Sequence, residues 1–235
     1  MKKLIVNADD FGYTERINQG IINAHRDGIV TSTSIMTTKE GFENAVVLAK
    51  ENPKLSIGIH LDLDKFFEID HTRGRIVGIT QPLERSVLEE EIKKQFDIVF
   101  SKGLVPTHIT GHHHVQMIKE VLEVLVPLMK QYNIMAVRFH KKISYNLDVF
   151  EEQKNLLDSN GIVYTPHFIE GWYWGNIDEP FTVAELMTHP GYGELWREYE
   201  LLASCDLKLK NYLRDNNIQL INYAELVEQF KIKSN

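Results

Sequence analysis

The sequence predicts an α/β fold in which parallel strands and helices alternate around a single barrel of the TIM type. Short runs rich in β-branched residues alternate with helical patterns along almost the whole chain, as repeated βα units require. The chain has 235 residues, which one α/β barrel can occupy without a second core. No internal repeat or linker-like stretch divides it, so we expect one domain over residues 1–235.

Several of the predicted strands are unbroken apolar runs, which suit burial on both faces of a parallel sheet. About eight strands are expected, a number compatible with a barrel. They are Leu4–Ala8, Thr31–Met36, Leu55–Ile59, Thr107–Thr110, Met135–Phe139, Gly161–His167, Ala184–Thr188 and Ile218–Asn222.

Helical patterns separate these strands. Glu15–Arg26, Phe42–Glu51 and Pro82–Ser101 are each followed two residues later by glycine or proline, which stop helices. Residues 62–81 lack a clean period, and we predict a long loop there near the mouth of the active site. Long loops within compact domains are often functional.

Composition narrows the possible partners and compartment. The 26 Lys and Arg and 33 Asp and Glu give a net charge of −7 without a basic stripe, which argues against nucleic acid as a partner. Cys205 is the single cysteine, so no disulfide can form within the chain. The apolar run Leu4–Val6 is too short for a signal peptide or membrane span, so we expect a cytoplasmic protein with no membrane partner.

Two adjacent carboxylates, Asp9 and Asp10, follow the first predicted strand and precede Gly12, which permits a sharp turn. In a βα barrel, residues that follow the strands line the catalytic face. Successive strand residues point in opposite directions, so we expect two different roles unless the strand already curls into its loop. The alternative is that one carboxylate merely caps the helix that begins near Thr14.

Histidines follow two further strands. His60 ends an apolar strand, where a lone histidine is often only a hydrogen-bonded core residue. The stretch from His108 to His114 holds four histidines in seven positions, embedded among apolar residues, which favours a functional site over a solvated loop. Alternation along the strand places His108 and His112 on the same side.

One aspartate and two histidines from three strand ends would provide three protein ligands and leave room for water, as catalytic metal sites do.

His189 lies at another strand end before a Pro-Gly turn, where it could be a general acid or simply bond a neighbouring carboxylate. Arg138 and His167 also lie at strand ends, where a cation could orient a carboxylate or polarise a carbonyl. Either could equally be structural.

An aromatic cluster follows His167 and consists of Trp172, Tyr173 and Trp174. Such rings can stack on the apolar faces of sugars. Core packing or a subunit contact explains them equally well.

These segments resemble the YdjC-like carbohydrate deacetylases, which include chitooligosaccharide deacetylases. The resemblance rests on residues 4–12, 28–34, 58–60, 106–108, 112–115 and 189–192. It implies a βα barrel of the glycosidase/deacetylase kind. It also implies a hydrolase that removes an acetyl group from an N-acetylglucosamine unit of a small oligosaccharide.

The resemblance further implies Asp10, His60 and His112 as ligands of one divalent metal ion, Asp9 as the general base and His189 as a candidate acid. Magnesium is the metal usually associated with the family, although two histidines and one aspartate suit zinc at least as well. In the implied hydrolysis Asp9 takes a proton from water and His189 protonates the departing amine. Supporting or substrate-binding roles are expected for His108, His114, Arg138 and His167.

Two departures from the family pattern stand in this chain. Thr110 occupies a position where relatives often have aspartate, and Gln116 one where they often have histidine, so the outer ligand shell or the substrate preference is expected to differ.

A metal-dependent phosphoesterase or sugar isomerase on the same barrel is an alternative, as is a non-catalytic sugar-binding regulator. A phosphate site would want several Lys or Arg near the strand ends, and only Arg138 is evident. A homodimer is a further expectation.

Overall fold

The computed structural model of the protein describes residues 2–170 and 180–234. The aromatic cluster predicted to contact sugar or core, Trp172 to Trp174, lies outside the described residues. Among the helices described, none is both long and apolar enough to cross a membrane.

The described residues form nine strands and eight α-helices. The strands are β1 (Lys2–Phe11), β2 (Ser32–Ile35), β3 (Ser56–Leu61), β4 (Phe67–Asp70), β5 (Arg75–Ile79), β6 (Ile109–Gly111), β7 (His167–Glu170), β8 (Val183–Thr188) and β9 (Ile218–Ile221). The helices are α1 (Glu15–Arg26), α2 (Phe42–Glu51), α3 (Arg85–Ser101), α4 (Lys119–Gln131), α5 (Phe150–Ser159), α6 (Leu195–Cys205), α7 (Leu207–Asp215) and α8 (Tyr223–Ser234).

Seven strands form one parallel sheet in the order β6–β3–β2–β1–β8–β7, with β9 pairing the start of β1. β1 lies at its centre, and its residues from Leu4 to Phe11 are all buried. This burial on both faces explains the unbroken apolar sequence of the strand. The predicted α/β class and the helix–strand alternation are confirmed, and the carboxyl ends of the strands share one edge of the sheet.

Two predicted strands differ in the structure. Residues 135–139, and residues 161–166 of the strand predicted over 161–167, join the sheet only through single bridges, Ile109 to Val137 and Ala136 to Val163. Their backbone groups still exchange ladder bonds, such as Val137 N–H to the Val163 carbonyl at 2.9 Å. Pro166 has no N–H to extend the ladder, and the regular strand β7 begins at the next residue. The sheet is therefore a curved parallel one whose regular pairing ends at β6 and β7.

Residues 62–81, expected to be a long loop, contain a short 3-10 turn, Asp64–Phe66, and the antiparallel hairpin β4–β5. Phe66 and Phe67 are buried and anchor the hairpin to the core. Gly74 makes the turn between the two strands with φ of +60°, a conformation that favours glycine. The two strands are too short and too exposed to give a readable sequence period.

The turn between β1 and α1 depends on Gly12. Its φ is +100°, and a Cβ there would lie 2.6 Å from the Met36 carbonyl oxygen. The Thr14 hydroxyl then caps α1 by accepting from the Ile17 N–H at 3.2 Å. Neither Asp9 nor Asp10 caps the helix, so both carboxylates are free for another role.

Candidate metal-dependent active site

A cleft of about 410 Å³ opens at the carboxyl edge of the sheet. Six of the predicted site residues line it, namely Asp9, Asp10, His60, His112, His114 and His189. The hairpin β4–β5 forms one wall, and the first residues of α6 form another. Residues widely separated in the sequence therefore meet where the strand ends converge.

A β-bulge near the end of β1 aims both carboxylates at this cleft. Ala8 pairs with Thr33 and Phe11 with Ile35, so β1 has one more residue than β2 across this stretch. The bulge is accommodated at Asp10, whose φ of +68° lies in the left-handed region. Asp9 and Asp10 therefore escape the alternation of a regular strand and share one face.

Asp9 is held by a two-pronged ion pair with Arg138. The guanidinium donates to its two carboxylate oxygens at 2.5 and 2.7 Å, and the Asn7 amide donates to Oδ1 at 2.8 Å. Burial by itself would raise the pKa of Asp9, but the charge of Arg138 outweighs it and lowers the pKa well below the usual range. Asp9 is consequently a carboxylate at neutral pH.

Arg138 itself is fully buried and needs a second anion. Glu185 on β8 accepts from its Nε at 2.8 Å, and the Tyr223 hydroxyl donates to the other Glu185 oxygen at 2.6 Å. The guanidinium thus lies between two buried carboxylates, as a cation that orients a carboxylate would. Neither Glu185 nor Tyr223 belongs to a recognisable motif, and sequence reasoning missed both.

Asp10 contacts two other groups. Its Oδ1 lies 3.3 Å from His60 Nε2, and its Oδ2 accepts from Arg197 Nη2 at 2.7 Å. Burial would raise the pKa of Asp10, but the hydrogen bond from His60 and the charge of Arg197 lower it well below the usual value. Arg197 is a site residue that the sequence did not reveal.

A chain of hydroxyl groups connects His60 to Asp9. Ser34 Oγ donates to Asp9 Oδ1 at 3.3 Å, and Thr110 Oγ1 donates to Ser34 Oγ at 2.7 Å. Since each hydroxyl has one proton to donate, the 2.7 Å contact between Thr110 Oγ1 and His60 Nδ1 requires the proton on Nδ1. Nε2, the other ring nitrogen, faces Asp10.

Thr110, expected from the sequence to depart from the family pattern, is therefore the residue that fixes the orientation of His60. If His60 is a metal ligand as the sequence predicts, we expect Thr110→Val to weaken metal binding by about 10–100-fold, because it removes the hydrogen-bond partner of the His60 Nδ1. Titration of metal-free protein with Zn²⁺ checks this. Thr80→Val, which alters an exposed hydroxyl that donates to the Lys65 carbonyl oxygen outside the cleft lining, is the matched control, and equal affinities in the two variants would contradict the assigned role of Thr110.

His112 lies beside a carboxylate that sequence reasoning did not single out. Its Nδ1 is 3.0 Å from Asp64 Oδ2, and its ring stands at 5.7 Å from that of His60, centre to centre. Burial lowers the pKa of His112, but the hydrogen bond with Asp64 outweighs it, so the pKa is raised. Within the described parts of the chain, Asp64, His112 and His113 bring ligand atoms within 4.8 Å of one another and could hold a divalent metal ion.

His189 lies between Asp9 and Glu200. Its Nε2 is 3.9 Å from Asp9 Oδ2 and its Nδ1 is 3.7 Å from Glu200 Oε2, which also accepts from the His189 N–H and the Thr188 hydroxyl. Burial lowers the pKa of His189, but the interaction with Glu200 outweighs burial and raises it. The side chain keeps 22% of its surface exposed, so it can reach a substrate.

The remaining predicted residues differ in how far they lie from the cleft. His108 is fully buried, where its Nε2 meets the Asn7 amide oxygen at 2.9 Å and its ring stacks on Tyr223. It supports Asn7, and through it Asp9, from below the cleft. His167 begins β7 and packs beside the Phe181 ring, outside the cleft lining. Only His114 reaches the cleft wall.

Gln116, the second departure from the family pattern, lies behind the site. Its Nε2 donates to the Arg138 carbonyl oxygen at 3.1 Å, and its side chain is fully buried. A Cβ on Gly111 would approach its Oε1 to 2.4 Å, so the glycine makes room for this side chain. Gln116 therefore supports the backbone that carries Arg138 rather than the cleft itself.

The sequence of this chain identifies its family. The sequence matches the family described as YdjC-like protein over residues 3–215. The chain belongs to the YdjC-like family. The family resemblance inferred from the motifs is therefore confirmed.

The YdjC-like chain has close counterparts among characterised sequences. It is 34% identical to a carbohydrate deacetylase of Clostridium beijerinckii, with 95% of this chain and 100% of the relative covered. It is 29% identical to a chitooligosaccharide deacetylase of Proteus mirabilis, covering 95% of this chain and 98% of that one. The prediction of a hydrolase acting on amide bonds agrees with these names.

Solved structures share the fold of this YdjC-like protein. A putative cellobiose-phosphate cleavage protein of Enterococcus faecalis superimposes with a TM-score of 0.76 at 25% identity, covering 96% of this chain and 98% of that one. A peptidoglycan deacetylase of Bacillus subtilis gives 0.51 at 12% identity, covering 99% and 93% respectively. The second likeness concerns the fold alone.

Proposed function

We propose that this chain removes the acetyl group from N-acetylglucosamine units of small oligosaccharides and releases acetate. The observation that carries the proposal is the meeting of Asp9, Asp10, His60, His112 and His189 in one cleft of a YdjC-like protein. Relatives that cover nearly the whole chain are named carbohydrate deacetylases, which supports an acetamide as the bond cleaved.

We assign Asp10, His60 and His112 as the ligands of one divalent ion. The donor set fits, because one carboxylate and two imidazoles leave further coordination positions open. Each imidazole has its Nδ1 held by another group, Thr110 or Asp64, as ligating histidines usually do. In this assignment Asp64 orients His112 rather than binding the ion. These residues would hold Mg²⁺ by family resemblance or Zn²⁺ by ligand chemistry, and such an ion would supply polarisation of the acetamide carbonyl and acidification of water.

Asp9 is proposed as the general base. Arg138 keeps it ionised, so it has the charge state that a proton acceptor needs. Its position between the cleft and the buried Arg138 fixes the carboxylate, because both of its oxygens are already bonded on the inner side. Proton transfer from water then depends on placement more than on strong basicity.

His189 is proposed as the general acid that protonates the departing amine. The interaction with Glu200 raises the pKa of His189, which favours the imidazolium form that a general acid needs. Activity that needs the protonated form is lost as the pH rises through this pKa. Glu200→Gln removes the main cause of the raised pKa, so the alkaline limb of the kcat/KM profile should move to lower pH. An unchanged alkaline limb in this variant, measured against Glu198→Gln, would assign the limb to another group.

One observation favours a phosphorylated oligosaccharide as a second candidate substrate. Only Arg138 suggested a phosphate site in the sequence, but that residue is buried against Asp9 and Glu185. Arg73, Arg75 and Lys142 instead line the outer part of the cleft, where cations favour an anionic group. The Enterococcus relative is named for a cellobiose-phosphate, which is consistent with this chemistry. Comparing kcat/KM for diacetylchitobiose with and without a phosphate decides between the two.

The proposed activity is tested by incubating the metal-loaded protein with N,N′-diacetylchitobiose and measuring acetate and free amine together. Equal amounts of the two products are expected, with none from chitobiose that lacks acetyl groups. Release of phosphate from a sugar phosphate without acetate would favour a phosphoesterase. Saturable sugar binding with no acetate under any metal would favour a regulator.

Closure of the curved sheet into a barrel is part of the proposal, supported by the bridges at Val137 and Val163 between its two ends. The cytoplasmic location and the homodimer stay predictions from the sequence.

A further inference from the structure

Arg197, in the first turn of α6, is the cation next to the proposed metal ligands. Its side chain is only 7% exposed, and it lines the cleft. Nη2 donates to Asp10 Oδ2 at 2.7 Å and Nε donates to Glu194 at 2.6 Å. The guanidinium lies 4.2 Å from the centre of the Trp196 ring.

One donor nitrogen of this guanidinium has no hydrogen-bond partner among the described residues. Nη1 is buried and makes no hydrogen bond to any group in residues 2–170 or 180–234. Leaving a buried charged donor unsatisfied costs free energy, so such groups call for an explanation. The same guanidinium contacts Asp10, and Arg197 lines the cleft, so the unpaired N–H lies at the edge of the site.

The backbone that carries Arg197 is fixed by the turn at Gly191. The Gly191 N–H donates to the Arg197 carbonyl oxygen at 3.3 Å, and Gly191 packs against α1. A Cβ on Gly20 of α1 would lie 2.4 Å from the Gly191 Cα, so the two backbones touch directly. A donor fixed before the substrate arrives needs little reorganisation when charge develops.

We propose that Arg197 is a substrate-binding residue whose Nη1 donates to the oxygen of the acetyl group, an inference that rests on the proposed deacetylase function. The acetyl carbon must approach Asp9, and the amine must approach His189. The carbonyl oxygen then lies on the side of Asp10 and His60, which is the side that Arg197 faces. Nη1 is well placed to stabilise the negative charge that grows on this oxygen and to hold the product acetate.

The test is Arg197→Lys, which keeps the positive charge beside Asp10 but removes the second donor. We expect kcat for diacetylchitobiose to fall by about 10²–10³-fold, the usual loss for one oxyanion donor, with a much smaller change in KM. Bound metal per chain should equal that of the wild type. Arg214→Lys, an exposed arginine on α7, is the matched control. A rate in Arg197→Lys within threefold of the wild type would show that charge beside Asp10 is the whole role of the arginine.

Binding of acetate gives a readout that does not depend on turnover. The wild type should bind sodium acetate at least tenfold more tightly than Arg197→Lys when followed by calorimetry, and equal affinities would overturn the proposal. Arg197→Ala offers a second route, since added guanidinium should restore its activity and methylammonium should not. Equal rescue by both ions would also overturn it. A wild type that releases no acetate, yet shows the difference in acetate binding, would contradict the proposed function and not the anion-binding role of Arg197.

Discussion

Asp9→Asn should lower the rate of acetate release by about 10²–10⁴-fold, the range expected for loss of a general base. The amide keeps the shape of the carboxylate but cannot take a proton from water. Arg138 retains Glu185 as its counterion at 2.7 Å, so its buried charge stays balanced in the variant. We therefore expect a folded protein with normal metal content and almost no activity.

Single-turnover kinetics with diacetylchitobiose and a parallel thermal melt check this expectation. Asp97→Asn is a suitable control, because Asp97 bonds Tyr132 on the outer helices and lies away from the cleft. A variant at position 9 with more than a tenth of the wild-type rate would remove Asp9 from the role of base. The proton would then have to go to another group, for which His189 is the first candidate, because its Nε2 lies 3.9 Å from Asp9 Oδ2.

Arg138→Met should lower the free energy of unfolding by about 3–5 kcal/mol, because removing one partner of a buried ion pair leaves uncompensated charge. Here two carboxylates, Asp9 and Glu185, lose the same cation. The loss should be largest at neutral pH, where Asp9 is ionised, and smaller in acid, where the variant can protonate it. Urea denaturation at pH 5 and pH 7.5 measures the difference.

The double variant Arg138→Met with Glu185→Gln separates this charge effect from packing. It should recover part of the lost stability, since only Asp9 then carries an unpaired charge. If the double variant is less stable than Arg138→Met alone, the hydrogen bonds of Glu185 to Tyr223 and Arg138 matter more than its charge. A loss below 1 kcal/mol in Arg138→Met would contradict the account of this network.

The sequence allowed much of the fold to be predicted, because the elements concerned are buried and continuous. β1 and β8 are apolar runs with both faces covered, and α1 and α2 end at the predicted residues. Residues 135–139 and 161–167 have the same composition, but they pair over only one or two residues and the second is interrupted by Pro166. The β-propensity of a segment does not determine how many backbone hydrogen bonds it forms with the neighbouring segment.

The site residues that could be predicted are those that lie at the carboxyl end of a strand. Asp9, Asp10, His60, His112 and His189 all follow this rule and all line the cleft. The bulge that turns both aspartates inward was not predictable, because it depends on the register between β1 and β2.

Three further residues that contact the site do not lie at strand ends. Asp64 lies in the segment flagged as a functional loop, but its own role had no sequence signal. Arg197 and Glu200 stand three residues apart on α6, a spacing that places them on one helix face. Only the packing of α6 against α1 and the end of β8 brings that face to Asp10 and His189.

The most direct test of the central claim is the rate of acetate release from diacetylchitobiose by metal-stripped protein as Mg²⁺ or Zn²⁺ is added back. The wild type should be inactive when stripped and should recover with one ion per chain. His113→Asn should recover in the same way, because His113 lies outside the proposed ligand set, whereas Asp10→Asn should not recover at any metal concentration. Undiminished release by stripped wild type, or full recovery of Asp10→Asn, would contradict a metal centre built on Asp10, His60 and His112.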